Sequence, residues 1–79
     1  MGNWKKTLAK VMRGEVDAGI RYDDLCHLLT RLGYTSKQAG SHNIFRMAGR
    51  DLINIQDASG KAKSYQVRQV REQLTKFKK

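Results

Sequence analysis

Apolar residues recur along this chain first at helical and then at strand intervals. Trp4, Leu8, Val11 and Met12 fall at i, i+4, i+7 and i+8, one stripe of a helix for which Asn3 is a suitable N-cap and Gly14 a left-handed stop. Residues 15–21 read as a short connection anchored by Val16 and Ile20. Leu25, Leu28, Leu29 and Leu32 form a second stripe, predicting a helix from Asp23 or Asp24 to Leu32 that Gly33 ends. The two aspartates suit its first turn, where the helix dipole favours negative charge. Cys26 lies at the edge of this stripe as a packing residue, and His27 lies opposite it, facing solvent.

From Tyr34 onward the period shortens. Residues 34–39, 42–47 and 52–56 read as three strands, the last two rich in strand formers. Gly40-Ser41 fits a two-residue type II′ hairpin loop, and residues 48–51 supply the second turn. Alternation then sends Asn43, Phe45 and Met47 toward the core and His42, Ile44 and Arg46 away from it. Ile53 and Ile55 join the core side, leaving Leu52, Asn54 and Gln56 beside His42. Residues 57–60 form a loop, and Ser64 is placed to cap a last helix whose apolar line is Val67, Val70, Leu74 and Phe77. Lys76, Lys78 and Lys79 complement the C-terminal end of its dipole. Helix, helix, three-stranded antiparallel meander, helix predicts an α+β fold with the helices on one sheet face.

A chain of 79 residues accommodates one domain, and a hydrophobic fraction of 39% suffices for a core of its own. No apolar run approaches the ~18 residues of a membrane span, and no signal peptide is read before the fold. The lone Cys26 makes no internal disulfide, and no Cys/His cluster marks a zinc site. The expectation is a soluble intracellular protein without a structural metal or membrane partner. Charge adds a partner class. The net charge is +9, distributed as +4 over residues 1–13, −1 over 14–60 and +6 over 61–79. Two basic ends around a neutral middle suit a polyanion, with RNA or DNA ahead of a membrane.

The parts for hydrolytic chemistry are few. No nucleophile-elbow sequence surrounds Ser36 or Ser41, and Asp23-Asp24 read as helix-start residues. Only Asp51 and Asp57 fall near the sheet, too few for a two-metal site. What remains is Gly40-Ser41-His42, a histidine presented by a tight turn. Imidazole, with an ordinary pKa of ~6.5, exchanges protons near neutrality, and RNA carries its own nucleophile in the 2′-hydroxyl. One placed base and a few cations could therefore cleave RNA without a metal or a small-molecule cofactor.

Gly40-Ser41-His42 followed by Asn43-Ile44-Phe45-Arg46 resembles the signature of the HicA toxins, small bacterial mRNA interferases. The resemblance covers residues 20–77, taking in Asp24-Leu25, Leu28-Leu29 and Leu32-Gly33-Tyr34 upstream. Downstream it takes in Asn54-Ile55-Gln56, Gly60-Lys61-Ala62-Lys63 and Tyr65-Gln66-Val67, which are similar to one branch of the family. It implies a double-stranded-RNA-binding-domain-like αβββα fold over residues 20–79, with residues 1–19 as an N-terminal helical extension to one compact unit. It also implies a cytoplasmic bacterial endoribonuclease of a type II toxin–antitoxin system, cleaving mRNA with a catalytic histidine at His42 and blocked by a HicB-like antitoxin protein. Many members carry Pro-x-His after the third strand, whereas this chain has Gln56-Asp57-Ala58.

On this reading His42 is the general base or acid, and Gly40 and Ser41 shape the hairpin that presents it. Lys37, Arg46, Lys61 and Lys63 hold phosphates, and Tyr65 and Gln66 stack on or hydrogen-bond a base, or else belong to the start of the last helix. The alternative from another class is a non-catalytic double-stranded-RNA binder, with Lys61 and Lys63 on phosphates and His42 as a hairpin contact. A DNA-binding regulator using Arg68 and Arg71 of the last helix is a third reading.

Overall fold

A computed structural model describes residues 4–14 and 19–76, so Asn3, Val16, Phe77, Lys78 and Lys79 of the sequence reading lie outside the described residues. The order is α1 (Trp4–Arg13), α2 (Tyr22–Arg31), β1 (Thr35–Ala39), β2 (His42–Arg46), β3 (Ile53–Gln56) and α3 (Ser64–Lys76). This is an α+β arrangement, αβββα preceded by an additional helix. Among the described residues no helix is long and apolar enough to cross a membrane.

The sheet is an antiparallel meander in the order β1-β2-β3. Ala39 pairs with His42 across the Gly40-Ser41 loop, and His42 pairs in turn with Gln56. Directly opposed residues share a face, so Phe45, Ile53 and Ile55 point together to one side. All three are fully buried against Leu25, Leu28, Leu29, Val67 and Val70 from α2 and α3. The other side carries Lys37, Ile44, Arg46 and Asn54 and, among the described residues, has no helix over it; of these four only Ile44 is as much as half-buried. Helices on one face and an open second face follow from the strand alternation.

α1 docks on the far side of the helical layer. Its inward stripe is Trp4, Thr7, Leu8 and Val11, with Thr7 and Val11 buried and Trp4 and Leu8 partly so; Met12 is 37% exposed, a correction to the expected line. The helix turns so that Val11 is fully buried at the centre, which places Thr7 on the inner side and swings Met12 outward. The Trp4 ring lies 5.8 Å from the Arg31 guanidinium of α2, and Arg71 of α3 donates to Val11 O at 3.1 Å. Gly14 ends α1 in the left-handed region as expected (φ 71°).

α2 starts one residue before Asp23. Arg21 offers it no side-chain cap; instead Tyr22 N donates to Gly60 O at 3.0 Å, so the turn after β3 satisfies a free amide of the first helical turn. Its C-terminus closes through Tyr34 N to Leu29 O and Gly33 N to Thr30 O, both 3.1 Å, the paired bonds of a Schellman cap. Tyr34 then drops into the core and donates its hydroxyl to Gln73 Oε1 at 2.7 Å.

α3 begins at Ser64 itself, so Ser64 occupies the first turn and does not cap it. The capping contact comes from Gln66, whose Oε1 accepts the Lys63 amide at 3.3 Å. The same oxygen accepts Gln56 N at 3.1 Å, while Gln69 donates to Leu52 O at 3.2 Å and Gln73 to Asp51 O at 2.6 Å. In this register Gln56 and Leu52 turn their main-chain groups away from β2. Three glutamines of α3 thus bond main-chain groups at the end of β3 and in the two residues before it. Among the described residues, the outer edge of β1, where Ser36 and Gln38 point their main-chain groups, has no such cover.

Candidate active site

The β1–β2 hairpin is built to hold its tip still. Gly40 takes φ 63° and Ser41 does not enter the left-handed region, the pattern of the expected II′ loop. Gln38 Nε2 donates to Gly40 O at 2.9 Å from one side, and Asp57 N donates to Ser41 O at 3.3 Å from the other. His42 is the first residue after this loop, half-buried, on the open face of the sheet.

The imidazole is fixed across the sheet. Nδ1 of His42 lies 3.0 Å from Oδ1 of Asn54 on β3. Asn54 is opposite Ile44, so the contact runs diagonally from His42 to the next row. An amide oxygen only accepts, so Nδ1 is the donor in this contact, and in a neutral ring the lone pair is then on Nε2. The side chain that orients the ring is a neutral amide, where the triads of hydrolases use a carboxylate. The sequence places Asn54 beside the His42 face but does not single it out as a functional residue. Its parity is legible, whereas the diagonal neighbour depends on the register of β3.

The candidate phosphate ligands surround this point at two distances. Lys37 stands opposite Ile44, one row from His42 and exposed on the same face. Arg46 is exposed at the far end of β2, about 14 Å along the strand from His42 at ~3.4 Å per residue. Lys61 closes a turn with Ala58, through Ala58 N to Lys61 O at 2.9 Å and Lys61 N to Ala58 O at 3.2 Å. The Asp57–Ser41 bond holds that turn at the His42 end of the sheet. Lys61 is exposed, Lys63 half-buried and Tyr65 55% exposed in the first turn of α3.

Gln66 does not belong with them. It is 2% exposed and its side-chain oxygen is engaged by two main-chain amides, so the expectation that it reads a base is corrected. Burial of Gln66 completes β3 and α3 instead. His27 is exposed on α2, as its position opposite the leucines requires. Cys26 packs beneath β2, where Asn43 Nδ2 approaches Sγ at 3.9 Å. Burial pushes its thiol up from the usual range, with the neighbouring Tyr22 hydroxyl pulling the other way, so it is a poor nucleophile near neutral pH. Burial also raises the Tyr22 phenol, and the adjacent Cys26 adds to the shift. Among the described residues no three of His, Cys, Asp and Glu gather where they could hold a metal ion. The arrangement therefore offers one oriented base, an open floor and separate cations. Comparison with protein-family models, with curated proteins and with solved structures finds no match to this chain.

Proposed function

We propose that this protein is an endoribonuclease of the HicA kind, a toxin that cleaves single-stranded mRNA in the bacterial cytoplasm and is held in check by a HicB-like antitoxin. The observation that carries the reading is the His42–Asn54 contact of 3.0 Å, which orients the imidazole on the open face through Nδ1 and leaves Nε2 as the atom that accepts a proton when the ring is neutral. Nε2 takes the proton of a ribose 2′-hydroxyl, and O2′ attacks the adjoining phosphorus. The P–O5′ bond breaks to leave a 2′,3′-cyclic phosphate, and the departing 5′ oxygen takes a proton from water, whose hydroxide takes back the proton held on Nε2. Negative charge on the phosphoryl oxygens grows in the transition state, and Lys37, one row from His42, is the nearest cation on the face. Arg46 meets a phosphate further along the strand, and Lys61, Lys63 and Tyr65 flank the His42 end. Nothing in these steps calls on a metal ion or cofactor. An antitoxin covering this face with acidic groups would be steered to it by the net charge of +9.

The test is cleavage of an unstructured RNA by the purified protein, with products analysed for a cyclic phosphate terminus. Cutting of the 2′-hydroxyl substrate but not of its 2′-deoxy counterpart supports the reading. Tight binding of duplex RNA with no cleavage of either would replace it with the non-catalytic binder.

A further inference from the structure

Beyond His42, the open sheet face has a floor of its own. Paired residues set out a grid on it: Ala39, His42 and Gln56 form one row, and Lys37, Ile44 and Asn54 the next. The row after that holds Thr35 and Arg46, with Leu52 just ahead of β3. Ile44 is half-buried and Leu52 is 51% exposed, an outlay of apolar surface that the core does not use. Together with Thr35, Ser36, Lys37 and Arg46 they line a shallow hollow of about 290 Å³. No acidic residue lines it. An aliphatic floor between two cations matches a nucleotide, whose base is apolar on its faces and whose flanking phosphates are anionic.

The geometry points to a nucleobase platform: Ile44 and Leu52 seat one base of a single-stranded RNA while Lys37 and Arg46 take the phosphates on either side of it. The inference rests on the endoribonuclease reading for its occupant, because a strand whose 2′-hydroxyl is at His42 must cross a neighbouring row. Rows repeat every ~6.8 Å along the strands, so the seated base belongs to a nucleotide next to the scissile one and not to the scissile one itself. A duplex keeps its base faces stacked inward and cannot use such a floor. The platform therefore selects single strands and supplies binding that is independent of the chemistry.

Binding is measured by fluorescence anisotropy with a 2′-O-methyl RNA hexamer, which lacks the nucleophile, and with an abasic hexamer of equal charge. The hexamer with bases is expected to bind about fivefold tighter, since an aliphatic floor contributes no more than the lower end of base–aromatic stacking. Leu52→Ser, an exposed position, should bring its affinity down toward that of the abasic strand while leaving the abasic strand unaffected. Ile44→Thr keeps β-branching and should act in the same direction, and Lys37→Ala should weaken both strands. Equal affinity for the two strands, or a Leu52→Ser protein that keeps the difference, overturns the platform. So does a Leu52→Ser protein that binds RNA normally but no longer binds its inhibitor protein, which would assign the face to that partner. Base-dependent binding by a protein that never cleaves RNA leaves the platform standing and removes the endoribonuclease reading; cleavage without base-dependent binding does the reverse.

Discussion

Replacing His42 with alanine should separate activity from stability. The side chain lies outside the buried cluster centred on Phe45, Leu25 and Val67, and its one hydrogen bond goes to the exposed Asn54. A neutral hydrogen bond contributes about 0.5–1.5 kcal/mol net, and one open to water belongs at the bottom of that range. The loss in stability is therefore under about 1 kcal/mol, a fall in Tm of no more than ~4–8 °C for a chain of this size. The loss in rate is of another order. Removing a general acid–base group costs ~10²–10⁴, which is about 3–5 kcal/mol at 1.36 kcal/mol per decade. The assay pairs circular dichroism melts with initial rates on an unstructured fluorogenic RNA for wild type, His42→Ala and His27→Ala. His27→Ala should match wild type in both, and wild-type rates should survive EDTA. A folded His42→Ala protein that cuts within tenfold of wild type would show that the imidazole is not the base. Wild-type activity abolished by the chelator would refute the mechanism from the other side.

Asn54→Ala should lower kcat about tenfold with KM nearly unchanged, since it frees the ring without touching a phosphate, and Asn54→Ser should recover part of the loss in single-turnover kinetics. Gly40→Ala meets no neighbouring atom but must hold φ 63°, so it should cost about 1–2 kcal/mol in urea denaturation, with Gly40→Asn costing less. RNA affinity should fall with salt at a log–log slope of about −3 if roughly four cations meet phosphates, and Lys61→Ala should flatten that slope in titrations from low to high salt. The raised thiol of Cys26 and phenol of Tyr22 mean that the unfolded chain gives up these protons at lower pH than the folded one. Stability, level below the usual thiol range, should thus decline as pH climbs from about 9 through the raised values, and Cys26→Ala should lessen that decline in melts recorded at pH 8 and 10.

The hairpin and the face that carries His42 were legible because both rest on short-range rules. A glycine at the first loop position and strict alternation from Asn43 to Met47 define turn and parity without knowledge of the rest of the chain. The leucine line of α2 is equally local. Thr7, Gln66 and Gln73 were not legible, because a polar residue on a helix is assigned to solvent until something buried needs its hydrogen bonds. In α3 that need comes from main-chain groups of Asp51, Leu52 and Gln56, which only the packing of the helix along β3 brings within reach. Asn54 escaped notice for a related reason: its partner lies twelve residues away and one row across, a distance that no periodicity reports.

The glutamine cover on β3 also limits how copies of this protein can associate. A sheet with two bare margins can recruit a neighbour on each side and grow without limit into a fibre. Here, among the described residues, α3 runs along one margin with its glutamines on Gln56 N and Leu52 O, so a strand-to-strand encounter is directed to β1. Two protomers meeting there consume both open margins at once, and a third has nowhere to attach. Edge-to-edge growth is chain-terminated at the dimer, a safeguard for a small protein that leaves most of one sheet face uncovered.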